Sequence, residues 1–158
     1  MNKLTQERLK ELLHYDPETG VFTSKRTGKQ VGYRKDRRKP YLFTKIGRRQ
    51  IRLHHLAWLY MTGEMPKSQL DHINGDPTDN RWSNLRLASH FTNNWNRGRA
   101  CTNKTGVKGV WIQGGKYYCK FERKGEKYRY GPFDDLELAE LVIMEAREKY
   151  HGEYARHE

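Results

Sequence analysis

The sequence predicts an α+β protein built from two small domains. Apolar residues recur with helical spacing in three stretches, at residues 4–13, 54–62 and 134–150. Short β-rich segments separated by Gly-containing turns fill much of the remaining chain. Only 35% of the 158 residues are hydrophobic, so the apolar core is expected to be modest and divided between the two domains.

In the first half, Thr5 is a suitable N-cap for the helix predicted over residues 4–13. A turn is expected at residues 15–20, and Gly63 ends the second helix, at residues 54–62. The strands predicted between these helices are residues 21–23, 41–46 and 50–53. A hairpin at residues 70–86 and a helix from Ser89 to about Arg97 complete this half.

The second half has the pattern of a three-stranded antiparallel sheet followed by a helix. Its predicted strands are residues 107–111, 117–123 and 127–130, with turns at Gly114-Gly115 and Lys124-Gly125. The helix at residues 134–150 carries apolar residues on one face and acids on the other. The predicted domains are residues 1–97, with a central element at about 68–97, and residues 106–158, joined by a basic linker at 98–105.

The charge of the chain is strongly segregated. The net charge is +12, and residues 25–52 hold twelve Lys or Arg against one acid. Residues 97–130 hold ten Lys or Arg against two acids, whereas residues 131–158 hold three against eight. This segregation predicts two basic surfaces and one acidic face. Such an arrangement fits a protein that neutralises the phosphates of a nucleic acid better than it fits a merely soluble basic protein.

The sequence excludes several other classes. Cys101 and Cys119 form neither a disulfide framework nor a Cys-x-x-Cys zinc site. The first residues lack an apolar signal core, and no apolar stretch is long enough for a bilayer. We therefore expect a cytoplasmic protein with reduced thiols (in the host cytoplasm if phage-encoded), with neither a membrane partner nor a small-molecule cofactor.

The segment Leu-Asp-His-Ile-Asn-Gly-Asp at residues 70–76 has the residues that phosphodiester hydrolysis needs. Neutral His72 can take a proton from an attacking water, because the ordinary pKa of histidine lies near neutrality. Asp71 offers a hard oxygen suited to Mg²⁺, with Mn²⁺ as an alternative, and Asn93 could supply a second oxygen. Asn84, on the returning strand, is placed to hydrogen-bond the loop and hold His72 in register.

Each of these residues has a simpler interpretation. An Asp-His pair alone is commonly part of a polar turn, and only the addition of Asn84, Arg86 and Asn93 favours an active site. Asn94 and Asn96 are close rivals of Asn93 as the second ligand. His54 and His90 are expected to pack or to contact phosphate, and zinc is not expected because no thiolate pair supports it.

The segment from Leu70 to Ala88 resembles the signature of the HNH endonucleases, of the homing-endonuclease kind found in phages. The preceding His-His-Leu-Ala-Trp of residues 54–58 resembles the family's His-Arg-Leu-Ala helix, with His55 where Arg is usual. This resemblance implies a ββα-metal fold. It implies Asp71 and Asn93 as metal ligands, His72 as general base, and Asn84 as the residue that orients His72.

Residues 104–156 resemble the plant-type AP2/ERF DNA-binding domain. The matching segments include Gly-Val-Lys-Gly-Val at 106–110, Tyr-Gly-Pro-Phe at 130–133 and Ala-Arg-Glu-Lys-Tyr-His-Gly at 146–152. The resemblance implies a DNA-binding sheet face, whose candidate contacts are Lys108, Trp111, Lys116, Lys120, Arg123, Lys127 and Arg129. The basic residues Arg48, Arg49, Arg86 and Arg97 are further candidate DNA contacts in the first domain.

These features together predict a metal-dependent DNA endonuclease that acts on double-stranded DNA as a monomer or weak dimer. One active site per chain favours a nick with some site preference. A non-catalytic DNA-binding regulator on the same scaffold, or a nuclease of structured RNA, remains an alternative.

Overall fold

In a computed structural model of the chain, the described residues are 4–36, 39–89, 92, 93, 96, 102–123 and 125–155. The chain divides into two units, Met1–Ala88 and Ser89–Glu158. The first unit ends nine residues before the end of the domain predicted over residues 1–97. The domain boundaries proposed from the sequence remain untested. Among the described residues, no helix combines the length and apolar character needed to cross a membrane.

The first helix, α1, spans Gln6–Leu12, and the hydroxyl of Thr5 accepts a hydrogen bond from the backbone N–H of Arg8 (3.2 Å). The predicted helix and its N-cap are therefore confirmed. The helix ends earlier than expected because Leu13 is already extended and begins strand β1, Leu13–Asp16. Leu13 and Tyr15 are buried on either side of exposed His14, so the alternation of a strand prevails over helical spacing.

Two three-stranded antiparallel sheets follow in the first unit. Strand β1 pairs with β2, Val21–Ser24, which pairs with β3, Gln30–Val31. The second sheet has the order β4-β5-β6, with β4 Tyr33–Asp36, β5 Lys39–Ile46 and β6 Arg49–Arg52. Strands β1, β3 and β4 were not predicted. The segment of β3 and β4 is polar and basic, and its extended form depends on pairing with β2 and β5 rather than on its own composition.

Helix α2, Leu53–Thr62, begins directly after β6 and ends at Gly63, whose φ of 82° suits a residue without a Cβ. The strand predicted over residues 50–53 therefore ends one residue earlier than expected, and Leu53 begins the helix. The buried side chains of α1, α2 and the first strands form one core: Leu9, Leu13, Tyr15, Phe22, Leu53, Leu56, Ala57, Leu59 and Leu85.

The hairpin that carries the candidate site closes the first unit. Strand β7, Gln69–His72, pairs antiparallel with β8, Leu85–Ala88, and a 3₁₀ turn, Trp82–Asn84, precedes β8. In the predicted helix from Ser89 to Arg97, Thr92 and Asn93 are helical, and much of the remainder lies outside the described residues.

The second unit contains the sheet β9-β10-β11 and helix α3. These elements are Val110–Gln113, Lys116–Arg123, Glu126–Phe133 and Leu136–His151, with Asp135 capping the helix. Strand β9 starts three residues later than predicted because the amide of Asn103 donates to the carbonyl oxygens of Val107 (2.8 Å) and Val110 (3.1 Å), which holds residues 107–109 in a turn. The buried core comprises Val107, Val110, Cys119, Phe121, Ala139, Ile143 and Ala146.

Candidate active site

The β7–β8 hairpin places the candidate catalytic pair at the end of a strand. In its register Asp71 lies opposite Arg86, and His72 lies opposite Leu85. Directly opposed residues of an antiparallel pair project from the same face. Asp71 and His72 are each about 5% exposed, so both polar side chains are buried and need partners.

Asp71 finds its partner across the hairpin. The guanidinium Nε of Arg86 donates to Oδ2 of Asp71 at 3.0 Å, and Nη2 lies 3.0 Å from the same oxygen. Both side chains are largely removed from solvent. Arg86 thus neutralises the buried carboxylate, and its contact with DNA stays a prediction.

The imidazole of His72 is enclosed by other rings and by an amide. Its centroid lies 4.9 Å from that of His54 in an edge-to-face contact and 6.2 Å from that of Tyr41. Its Nε2 is 3.4 Å from Oδ1 of Asn80. Burial lowers the pKa of His72 below its ordinary value, while the contact with Asn80 and the charge of Asp71 act in the opposite direction. The lowered pKa favours the neutral ring that a general base requires.

Asn84 organises the loop that follows His72. Its Oδ1 accepts from the backbone N–H of Asn74 (2.9 Å), and its Nδ2 donates to the carbonyl of Asp79 (2.8 Å). Its own carbonyl accepts from the N–H of Ile73 (2.9 Å). The side chain of Asn84 therefore holds both ends of the loop, and the amide in contact with the His72 ring belongs to Asn80 instead.

The sequence analysis gave Asn80 no role, because an Asn in a polar turn has no distinguishing pattern. The structure places it at 2% exposure, within reach of His72. Tyr41 was also missed. His54, predicted to pack or to contact phosphate, packs against both rings and is 2% exposed. The spacing of His54 from the hairpin carries no sign of this contact, which arises only from the fold.

Asn93, the proposed second metal ligand, lies in the second unit. Its backbone N–H donates to the carbonyl of Ser89 (3.0 Å). Its rival Asn96 is buried, and Asn94 lies outside the described residues. The metal role of Asn93 stays a prediction.

The donor set of the first unit suits a hard cation. Within the described part of the chain, no three His, Cys, Asp or Glu side chains are grouped so that they could hold a metal ion. A single buried carboxylate such as that of Asp71 fits Mg²⁺, which keeps several waters and needs few protein ligands, better than zinc, which prefers four nitrogen or sulfur ligands.

Most candidate DNA contacts of the second unit share one face. Cys119 and Phe121 of β10 are buried in the core with α3, so the alternate residues of that strand lie on the opposite face. Cross-strand register adds their neighbours on β9 and β11. The candidates on this outer sheet face are Trp111, Lys116, Lys120, Lys127 and Arg129, and Tyr118 and Glu122 lie on the same face. Lys120 lies over the Trp111 ring (5.6 Å to its centroid).

Four other candidates, Arg48, Arg49, Lys108 and Arg123, lie elsewhere. Arg123 shares the alternation of Phe121 and so belongs to the opposite face, where its guanidinium lies 5.0 Å from the centroid of Tyr150 on α3; its contact with DNA stays a prediction. Lys108 lies in the turn before β9, and its carbonyl accepts from the guanidinium of Arg147. Arg48 and Arg49 are exposed at the β5–β6 turn. Arg97 lies outside the described residues.

A buried carboxylate and a neutral imidazole side by side at a strand end, in a chain of this positive charge, are features of a nuclease. The family model described as HNH endonuclease matches residues 52–94, a stretch that includes the whole hairpin. Protein 3.8 of Escherichia phage T7 is 32% identical over 108 residues, which cover 66% of this chain and 88% of that protein. The chain belongs to the HNH endonuclease family and is a nuclease.

The fold of this chain is also similar to a solved structure of the HNH homing endonuclease I-HmuI, a protein that binds and cleaves DNA. The similarity covers 92% of this chain and 91% of that one, with 18% identity and a TM-score of 0.44.

Proposed function

We propose that the protein is a divalent-metal-dependent DNA endonuclease in which His72 is the general base. The observation that carries the proposal is the position of two buried polar residues, His72, whose pKa is lowered by burial, and Asp71, side by side at the end of β7. Membership of the HNH endonuclease family and the net charge of +12 support a polyanionic substrate.

In this proposal His72 accepts the proton of the water that attacks the scissile phosphorus. Asp71 and Asn93 would hold the metal, and Arg86 holds the carboxylate of Asp71 in one orientation. A bound Mg²⁺ would supply positive charge for the developing negative charge on the phosphate and the leaving oxygen. The outer sheet face binds the DNA backbone, and the single site per chain makes a nick.

The decisive experiment compares His72→Ala with His14→Ala on supercoiled plasmid, with and without Mg²⁺. His14 is an exposed histidine of β1, outside the site, and serves as the matched control. We expect the first variant to lose at least about a hundredfold in cleavage rate, because proton transfer to a positioned base contributes on that order, and to keep DNA affinity in a gel-shift assay. The control should cut normally.

Residual cleavage by His72→Ala above about a tenth of the wild-type rate would be too small a loss for a general base and would refute its assignment to His72. Undiminished cleavage after chelation would refute the metal. Cleavage of structured RNA in preference to plasmid DNA would refute the proposed substrate.

A further inference from the structure

The side-chain oxygen of Asn80 faces the imidazole of His72. The distance from Oδ1 to Nε2 is 3.4 Å, and both residues are buried. A neutral imidazole has one N–H and one lone pair, and the hydrogen bond at one nitrogen determines where the proton resides. The identity of the Asn80 atom that faces the ring therefore matters.

The amide of Asn80 is oriented by a second contact. Its Nδ2 donates to the carbonyl of Thr78 at 3.1 Å. A carbonyl can only accept, so the NH₂ group must lie on the Thr78 side and the oxygen on the His72 side. The atom presented to His72 is thus an acceptor, and it matches an Nε2 that carries hydrogen.

The backbone of Asn80 is also held from outside the loop. The hydroxyl of Tyr15, a residue 1% exposed, donates to the carbonyl of Asn80 at 2.7 Å. Gly20 lies so close that a Cβ there would be 2.5 Å from the carbonyl carbon of Asn80. The β1–β2 hairpin therefore fixes the position of Asn80 independently of His72.

We infer that Asn80 is the positioning residue of the active site, which holds His72 in the Nε2–H form and leaves Nδ1 as the atom that takes the proton from water. The inference rests on the proposed role of His72 as base and adds the residue that selects its reactive nitrogen. Asn84 hydrogen-bonds the loop at Asn74 and Asp79, whereas Asn80 contacts the ring itself.

The direct test is the tautomer of His72 in the wild-type protein. Long-range ¹H–¹⁵N spectra of protein labelled with ¹⁵N-histidine, recorded at mildly alkaline pH, distinguish the two forms by the shifts of the ring nitrogens. The signals of His72 are assigned by their loss in His72→Gln. We expect the Nε2–H form; an Nδ1–H form of His72 overturns the inference without need of any further variant.

Two substitutions separate the acceptor from the rest of the amide. Asn80→Asp keeps an oxygen toward His72 and should keep the Nε2–H form, whereas Asn80→Ala should give a mixture of tautomers. We expect kcat of Asn80→Ala to fall about tenfold or more, with KM for DNA changed less than about threefold, because the contact acts on the reacting group and not on substrate binding. A wild-type kcat, or a loss expressed in KM alone, overturns the inference.

Tyr15→Phe provides a second variant that leaves the amide intact. It removes the hydroxyl that supports the Asn80 carbonyl and should lower kcat in the same direction but less. If His72→Ala cuts like wild type, the proposed function fails while the tautomer can still be measured. If His72→Ala is inactive and the wild-type ring is Nδ1–H, only the role of Asn80 fails.

Discussion

Arg86 and Asp71 form a buried ion pair across the β7–β8 hairpin, with Nε and Nη2 of the arginine both 3.0 Å from one carboxylate oxygen. Their side chains are 13% and 6% exposed. A buried carboxylate without a counter-charge is costly, so the arginine compensates the charge of Asp71 whenever no cation is bound.

Removal of this arginine should therefore make the fold depend on metal. We expect Arg86→Met to lower the free energy of unfolding by about 3 kcal/mol, the usual cost of one partner lost from a buried pair. Mg²⁺ should restore more stability to this variant than it adds to wild type. The measurement is thermal unfolding with and without Mg²⁺.

Arg81→Met is the matched control for this experiment. Arg81 also pairs with an aspartate of the same unit, Asp79, but its side chain is 50% exposed. Water replaces a lost partner at such a site, so we expect a much smaller loss and no special response to Mg²⁺. Equal behaviour of the two variants would contradict the compensating role of Arg86.

Gly20→Ala should be strongly destabilising because of a close backbone approach. A Cβ at residue 20 would lie 2.4 Å from the backbone nitrogen of Arg81, and φ is 73°. Gly28 has a similar φ of 66° with nothing within 4 Å, so Gly28→Ala measures the conformational strain alone, about 1 kcal/mol. We expect Gly20→Ala to lose at least about 2 kcal/mol more in urea unfolding, and equal losses would show that the contact relaxes without cost.

Acid should destabilise the first unit through His54. Burial is the main cause that lowers the pKa of His54 to about 2, and the neighbouring His55, His72 and Arg52 add to it. The unfolded chain takes up a proton near pH 6.5, whereas the folded ring remains neutral. Stability is therefore lost as the pH falls below about 6.5, by up to about 1.4 kcal/mol per pH unit for this one proton.

His54→Phe should reduce the slope of unfolding free energy against pH by up to about 1.4 kcal/mol per pH unit, the value for one proton. The measurement is urea unfolding at several pH values between about 4 and 6.5, the range below the histidine pKa in the unfolded chain. His14→Phe, the same substitution at an exposed position of β1, is the control variant. If the wild type and His54→Phe have the same slope, His54 is not held neutral by the fold.

The outer sheet face should account for part of the salt dependence of DNA binding. Lys120 and Arg129 are directly opposed on this face, and each phosphate contact adds about 0.9 to the slope of log affinity against log salt. We expect the double variant Lys120→Gln, Arg129→Gln to reduce the slope by about 2. Arg123→Gln, on the face that packs on α3, is the control and should change the salt slope little. A larger loss of slope in Arg123→Gln than in the double variant would show that DNA binds the other face of the sheet.

The hairpin of the active site could be predicted from sequence because its signals are local. A strand ending in Asp71-His72, a turn at Gly75 and a returning strand after Asn84 are all defined by neighbouring residues. The position of Arg123 could also have been inferred, since it shares the alternation of Phe121, a residue of the core.

The role of Asn80 could not be predicted in this way. Its burial depends on Tyr15, which lies 65 residues away in sequence and reaches it only through the tertiary fold. Likewise, the edge-to-face contact of His54 with His72 joins the start of α2 to the end of β7. Spacing along the chain does not encode such contacts when both partners are common residue types.

The bond from the Tyr15 hydroxyl to the Asn80 carbonyl limits how far the catalytic hairpin can be transplanted. The family match covers residues 52–94, so it includes Asn80 and omits Tyr15 and Gly20. A chimaera that grafts only the shared stretch onto a new scaffold would carry every proposed catalytic side chain but not the hairpin that fixes Asn80. A portable nuclease module therefore has to include residues 13–24, or a designed hydroxyl in their place.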